Sequence, residues 1–312
     1  MKVVALCGGI GGVKLALGLY HALEKNSLTI ICNTGDDINR FGLHISPDVD
    51  IVMYTLANLV DTEKGWGFAD ESFTFLRTIN ELYKQNKWFT IGDRDLATHV
   101  LRTSLLKQGM ELSDVTAKLC NLIGLNDVRL IPMSNQNVTT RIRTSDGNLI
   151  HFEEFFVKLR CEPEITEVVY DGADSAAAAS GVLESIREAD IVVICPSNPV
   201  ASIGPILSVR EIRNQLREAT CPAVGISPLI GGKAVKGPTV KFMEALGLQA
   251  DAIGVANTYQ DFLSHYVIDN QDGQLQQDIE NLGMEPIITN TIMNTIEDKK
   301  ALAQIVLSIV ER

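Results

Sequence analysis

With 312 residues, 46% of them hydrophobic and 21% charged, the chain can bury a sizeable core, which excludes a disordered protein. Its formal net charge of -12 excludes the basic face that duplex nucleic acid needs, so an anionic ligand must be held locally by backbone amides, a few cations or a metal. The run Val3–Leu6 is too short for a signal peptide and no stretch reaches membrane-spanning length, so the reading is a cytoplasmic protein with no membrane partner.

Val3 to Cys7 is an unbroken apolar run ending in Gly8-Gly9, which predicts a buried parallel strand. Lys14 to Leu23 places apolar residues at helical spacing, and Leu28 to Cys32 predicts a second strand. Strand, loop, helix and strand in this order open a Rossmann-like, doubly wound α/β sheet. From Ser46 to Leu125 the pattern is almost wholly helical, with Ser46 as N-cap before Pro47, and Ser113-Asp114 starting a helix through Leu119 and Leu122. Thr139–Thr144 and Leu149–Phe152 flank Ser145-Asp146-Gly147-Asn148, which predicts a β-hairpin. Ala176 to Ala189 predicts a helix, Ile191–Cys195 and Ala223–Ser227 further buried strands, and Ala301–Val310 the last helix. The expectation is one mainly parallel α/β domain over residues 1–312, with a helical and β-hairpin subdomain inserted over residues 46–170. Six scattered cysteines without a Cys-x-x-Cys pair read as reduced structural thiols.

Several polar loops interrupt this apolar frame. Gly8-Gly9-Ile10-Gly11-Gly12-Val13-Lys14 follows the first strand and opens a helix, where glycines let the backbone approach a phosphate and the helix N-terminus offers unpaired amides. It is neither the dinucleotide fingerprint nor a Walker A loop. Asn33-Thr34-Gly35-Asp36-Asp37 ends the second strand, and its paired carboxylates suit either a ribose hydroxyl or a hard cation. Ile45 to Asp50 and Ile91-Gly92-Asp93-Arg94-Asp95 add acidic first turns, in which Asp48 and Asp95 taken alone are ordinary dipole partners. Cys195-Pro196-Ser197-Asn198-Pro199, running on to Ser202, presents donors at a strand end, and Ser227-Pro228 with Lys236-Gly237-Pro238 lies beyond another. The nucleotide-binding candidates are therefore Gly9, Gly11, Gly12, Lys14, Ser197, Asn198 and Ser202. The five histidines show no zinc-ligand spacing, and His99, four residues after Asp95 on a predicted helix, is placed to face the crevice, although a satisfied core or surface histidine is the ordinary outcome. Trp66, between Gly65 and Gly67, offers a ring for a flat ligand, although a core aromatic is the ordinary outcome. A dehydrogenase would need a clean Gly-x-Gly-x-x-Gly loop, which is missing, and a nucleotide sensor on the same fold is the other alternative.

Taken together, Asn33 to Asp37, Ile45 to Asp50 with Tyr54-Thr55-Leu56, Gly65-Trp66-Gly67, Gly92 to His99, Leu130 to Ser134, Pro196 to Pro205, and Ile226-Ser227-Pro228 with Gly237-Pro238 resemble the 2-phospho-L-lactate transferase (CofD) family of coenzyme F-420 biosynthesis. The resemblance implies a homodimer on a Rossmann-like core and a magnesium-dependent transfer. The donor would be a guanosine diphosphate joined to a small hydroxy acid: phospholactate, or a phosphoenolpyruvate or 3-phosphoglycerate analogue. The acceptor would be the ribityl hydroxyl of the deazaflavin Fo, and GMP would leave. By the resemblance, Asp50 and Arg94 are the deazaflavin contacts and the catalytic candidates, with Trp66 beside them. The candidates for Mg2+ are Asp36, Asp37 and Asp50.

Overall fold

The computed structural model describes residues 1–84, 88–234 and 238–311. Seven strands form the central sheet: β1 Val3–Cys7, β2 Leu28–Cys32, β3 Arg129–Pro132, β4 Ile191–Ile194, β5 Ala223–Ile226, β6 His265–Asp269 and β7 Glu285–Thr289. Their spatial order is 3-2-1-4-5-6-7 and every neighbouring pair is parallel. In β1, Val3 lies opposite Leu28 on one side and Ile191 on the other. Both faces of the central strands are covered, which is why β1 and β4 read as unbroken apolar runs. Leu6, Ile31 and Ile194 pack into one core layer, while Ala5, Cys7, Ile30 and Val193 pack into the other.

The strand order reverses between β1 and β4, and their carboxyl ends part there. The 46–170 range contains β3, a strand of the main sheet, so it holds two excursions rather than one. The first begins before that range, with a small hairpin (Ile38–Arg40 with Leu43–Ile45), and carries the helices Pro47–Leu56, Thr74–Glu81, Asp93–Lys107 and Leu112–Leu122. The second is a three-stranded antiparallel sheet in which Thr139–Thr144 pairs with Leu149–His151 and with Ile165–Asp171. Its turn is the expected one, with Gly147 at φ 87°.

Some boundaries differ from expectation. The helix expected from Ala176 occupies Val182–Arg187, because Gly181 at φ 87° forms its N-cap and Ala176 and Ala179 are buried in the loop before it. The last helix begins earlier, at Ile296, where Thr295 and Asp298 form a capping box. Ser46 does precede Pro47 at the start of a helix, but its hydroxyl makes no cap bond and donates to Asp37 Oδ2 at 2.8 Å. All six cysteines are free, and four are buried. Among the described residues no helix is long and apolar enough to cross a membrane.

Candidate active site

Above the parting of β1 and β4 lies a cavity of about 640 Å³, floored by the loops after β1, β2, β4, β5 and β7. Of the nucleotide-binding candidates, Gly9, Gly11, Lys14, Ser197, Asn198 and Ser202 line it. Gly12 does not; it is buried against the Ser197 side chain. Gly11 is glycine for a related reason, since a Cβ there would lie 2.6 Å from the Pro196 carbonyl oxygen. Two of these glycines thus let the β1 and β4 loops touch. The helix that follows spans Gly9–Ala22, and Gly9 adopts φ 64°. Its first amide is already engaged: Gly9 N donates to Asp48 Oδ1 at 2.8 Å, and Asn33 Nδ2 donates to Asp48 Oδ2 at 2.8 Å. Asp48 is therefore an anchor of the glycine loop as well as a first-turn acid. Lys14 is the sole lysine or arginine among the described residues that line the cavity.

Carboxylates dominate the same region. Asp36 lines the cavity, and its buried Oδ1 has no hydrogen-bond partner. Burial, then the charges of Asp48, Glu153 and Asp37, hold its carboxyl well above the usual range. Burial pushes Glu153 up to about 8, with Asp48 adding to it, and pushes Asp48 up to about 6 against the bonds from Asn33 and Gly9. Asp37 points elsewhere. Its Oδ2 accepts from Ser46 Oγ at 2.8 Å and meets His44 Nε2 at 2.9 Å, and it does not line the cavity. Asp36, Asp37 and Asp50 are thus not assembled into one cation site. The group whose ligand atoms lie within 4.8 Å of one another, among the described residues, is Asp50, Asp95 and His99.

Asp50 lines the cavity from the Pro47–Leu56 helix. Both of its oxygens accept from the fully buried Arg102, Nη1 at 3.0 Å and Nη2 in a shorter contact. His99 Nδ1 lies 3.6 Å from Asp50 Oδ2, and His99 Nε2 lies 3.3 Å from Asp95 Oδ2. Tyr54 completes the array by donating to Asp95 Oδ1 at 2.8 Å. Burial opposes the Asp95 charge, but the adjacent His99 ring, the Tyr54 hydroxyl bond and the Arg102 charge outweigh it and hold that carboxyl below its usual range. Trp66, 42% exposed, lines the cavity with Phe89, and Phe152 stacks on Phe156 at 5.5 Å between ring centres on its wall.

Arg94 is placed differently from expectation: it is exposed and does not line the cavity. Its Nη1 donates to the Ala69 carbonyl at 2.7 Å and its guanidinium covers the Phe68 ring at 4.9 Å, so it braces the loop that carries Trp66. Arg102 makes the Asp50 contact instead. Sequence reasoning missed Arg102 and Glu153, and read Asp48 and Asp95 as helix partners alone. A signal for Arg102 was available, because Asp95, His99 and Arg102 recur at i, i+4 and i+7 on one helical face. Ser227, Pro228 and Pro238 line the cavity as well, whereas Lys236 and Gly237 lie outside the described residues.

Comparison with known proteins adds to this geometry. The sequence model of the family described as 2-phospho-L-lactate transferase CofD matches residues 3–301. A phosphoenolpyruvate transferase of Kitasatospora aureofaciens is 40% identical, covering 100% of this chain and 98% of the relative. A 2-phospho-L-lactate transferase of Methanococcoides burtonii is 37% identical over 98% of this chain and 99% of its own length. In fold, the chain is similar to the crystal structure of a Bacillus halodurans protein, with TM-score 0.65, 16% identity and 98% of this chain and 99% of that one covered.

Proposed function

The chain belongs to the 2-phospho-L-lactate transferase CofD family, and on that premise we propose that it transfers a phospho-hydroxy-acid group from a guanosine diphosphate adduct to the ribityl hydroxyl of the deazaflavin Fo. The observation that carries this reading is one cavity lined by two kinds of group. The glycine loop with Lys14 lines it, and so do Asp50 and the Trp66 ring. The first set suits a diphosphate, and the second suits a flat ring bearing a hydroxyl.

Of the residues expected to hold magnesium, Asp36 fits it. Its unpartnered oxygen faces the cavity that Glu153 also lines, and these carboxylates are the hard-oxygen groups a divalent cation would take. Bound there, magnesium would neutralise the diphosphate and ease departure of the guanosine phosphate. The other roles fall to this chain's own groups. Lys14 and the loop donors Ser197 and Ser202 hold the diphosphate, and the walls exclude water. Asp50 accepts a hydrogen bond from the ribityl hydroxyl and so aims its oxygen at the phosphorus that bears the hydroxy acid. A phosphorus–oxygen bond forms there, the bridging phosphorus–oxygen bond breaks with its electron pair going to GMP, and the hydroxyl proton leaves late toward Asp50. Alignment matters more than basicity here, because a carboxylate is a weak base toward an alkanol. The homodimer implied by the resemblance is part of the same proposal.

Mass spectrometry after incubating the protein with Fo, magnesium and each guanylated donor in turn tests this reading. The expected product is a phosphodiester of Fo together with GMP, and the donor that gives it identifies the hydroxy acid. Absence of any phosphodiester with all three donors defeats the reading.

A further inference from the structure

We propose that His99 is a positioning residue that acts through Asp50, its imidazole fixing the orientation in which that carboxylate meets the acceptor hydroxyl. The proposal rests on the transfer reading above. His99 is 1% exposed yet borders the cavity. An imidazole buried that deeply is ordinarily satisfied by good hydrogen bonds. Here Nε2 has no hydrogen-bond partner and only the 3.3 Å ionic contact with Asp95, while Nδ1 faces Asp50 Oδ2 at 3.6 Å and Arg102 Nη1 at 3.4 Å. The ring is wedged between two carboxylates and a guanidinium rather than against apolar packing.

Helix phase explains the wedge. Asp50 and Tyr54 are i and i+4 on one helix, while Asp95, His99 and Arg102 are i, i+4 and i+7 on the other. Where those stripes meet, the groups alternate in a row: Tyr54, Asp95, His99, Asp50, Arg102. Tyr54 fixes Asp95, Asp95 steadies the His99 ring, and His99 limits rotation of the Asp50 carboxylate at Oδ2, the oxygen that Arg102 Nη1 also reaches. A metal ion held by Asp50, Asp95 and His99 is the competing reading of this cluster. It is disfavoured because Arg102 already sets a positive charge 3.4 Å from His99 Nδ1 and occupies both Asp50 oxygens.

Loss of the ring would leave Asp50 anchored by Arg102 alone, and misalignment of a reacting pair by about 1 Å costs on the order of a hundredfold in rate. The test uses His99→Gln, Tyr54→Phe, Asp50→Asn and the Asp50→Asn/His99→Gln double variant. Single-turnover rate, melting temperature, and Kd for Fo and for GDP are measured for each. Under the proposal His99→Gln slows the single turnover by about tenfold to a hundredfold while both Kd values stay within about threefold of wild type. Tyr54→Phe, which keeps the ring against Phe68 and removes only the bond to Asp95, slows it less. The double variant is no slower than Asp50→Asn alone, because His99 has no effect once the group it steadies is changed. Additive losses, an unchanged rate in His99→Gln, or loss of both ligands' binding overturns the proposal. Should His99→Gln fail to fold, an unchanged rate in Tyr54→Phe overturns it equally. Absence of turnover in the wild type sinks the transfer reading and this inference together, whereas an active wild type with an indifferent His99→Gln sinks this inference alone.

Discussion

Replacing Arg102 with methionine tests whether the Asp50 ion pair holds the two site helices together. The guanidinium is fully buried and both Asp50 oxygens accept from it. Methionine keeps part of the side chain's volume but leaves a carboxylate that is 4% exposed without its counter-charge. Removing one partner of such a buried pair costs about 3–5 kcal/mol. Burial already works against the Asp50 charge, so without Arg102 its folded pKa moves further above the unfolded one. A carboxyl raised in this way contributes stability at low pH that is lost as pH rises through the folded pKa, so the deficit of Arg102→Met is smaller at about pH 5 than at about pH 8. Adding Asp50→Asn to the same chain removes the orphaned charge and returns much of the loss, because a buried pair replaced by neutral groups is close to neutral overall. Urea unfolding of the wild type, both single variants and the double variant at the two pH values measures these differences. A loss below about 1 kcal/mol at both pH values, which is the worth of an exposed pair, refutes the reasoning. A double variant no more stable than Arg102→Met refutes it too.

Two further predictions concern Glu153 and Gly11, which also line the cavity. Glu153 is pushed up to about 8 by burial, so its folded value lies above its unfolded one, and the metal-free protein loses stability as pH rises from about 4.5 toward 8. Glu153→Gln flattens that decline in urea midpoints, and parallel pH curves for variant and wild type contradict the assignment. Gly11→Ala sets a Cβ 2.6 Å from the Pro196 carbonyl, a rigid backbone atom, and so pushes the β1 and β4 loops apart. GDP affinity falls while Fo affinity is kept, and calorimetry that finds both unchanged shows the close approach to be dispensable.

Much of the fold was legible because its signals are local. A strand buried on both faces reads as an almost continuous apolar run, so β1 and β2 (interrupted only by the half-buried Thr29) could be read residue for residue. The Ser145-Asp146-Gly147-Asn148 turn likewise demands a residue tolerant of positive φ, and Gly147 supplies it. β3 was harder to recognise. It is four residues long, lies between helical and antiparallel segments, and joins the sheet only through its pairing with β2. The loop before Val182 misled for the opposite reason: its alanines favour a helix, but Gly181 sets where the helix starts and the neighbouring core buries Ala176 and Ala179.

The site was legible where a strand end sets position and obscure where two helices set it. Gly9, Gly11 and Ser197 follow the two strands that end at the switch point and Asp36 follows the neighbouring β2, and all four reach the cavity. Arg94 and Arg102 stand on one helix, eight residues apart, and the motif around Gly92-Asp93-Arg94-Asp95 drew attention to the first. Eight residues is about 800° of helix at 3.6 residues per turn, so the two guanidinium groups leave the axis roughly 80° apart. Arg94 therefore meets Phe68 and Ala69 on the outer side, while Arg102 shares the stripe of Asp95 and His99 that faces Asp50. Charge composition cannot separate two arginines of this kind. Helix phase does, and with the phase set by Asp95 and His99 the arginine that neutralises Asp50 has to stand at position 102 rather than 94.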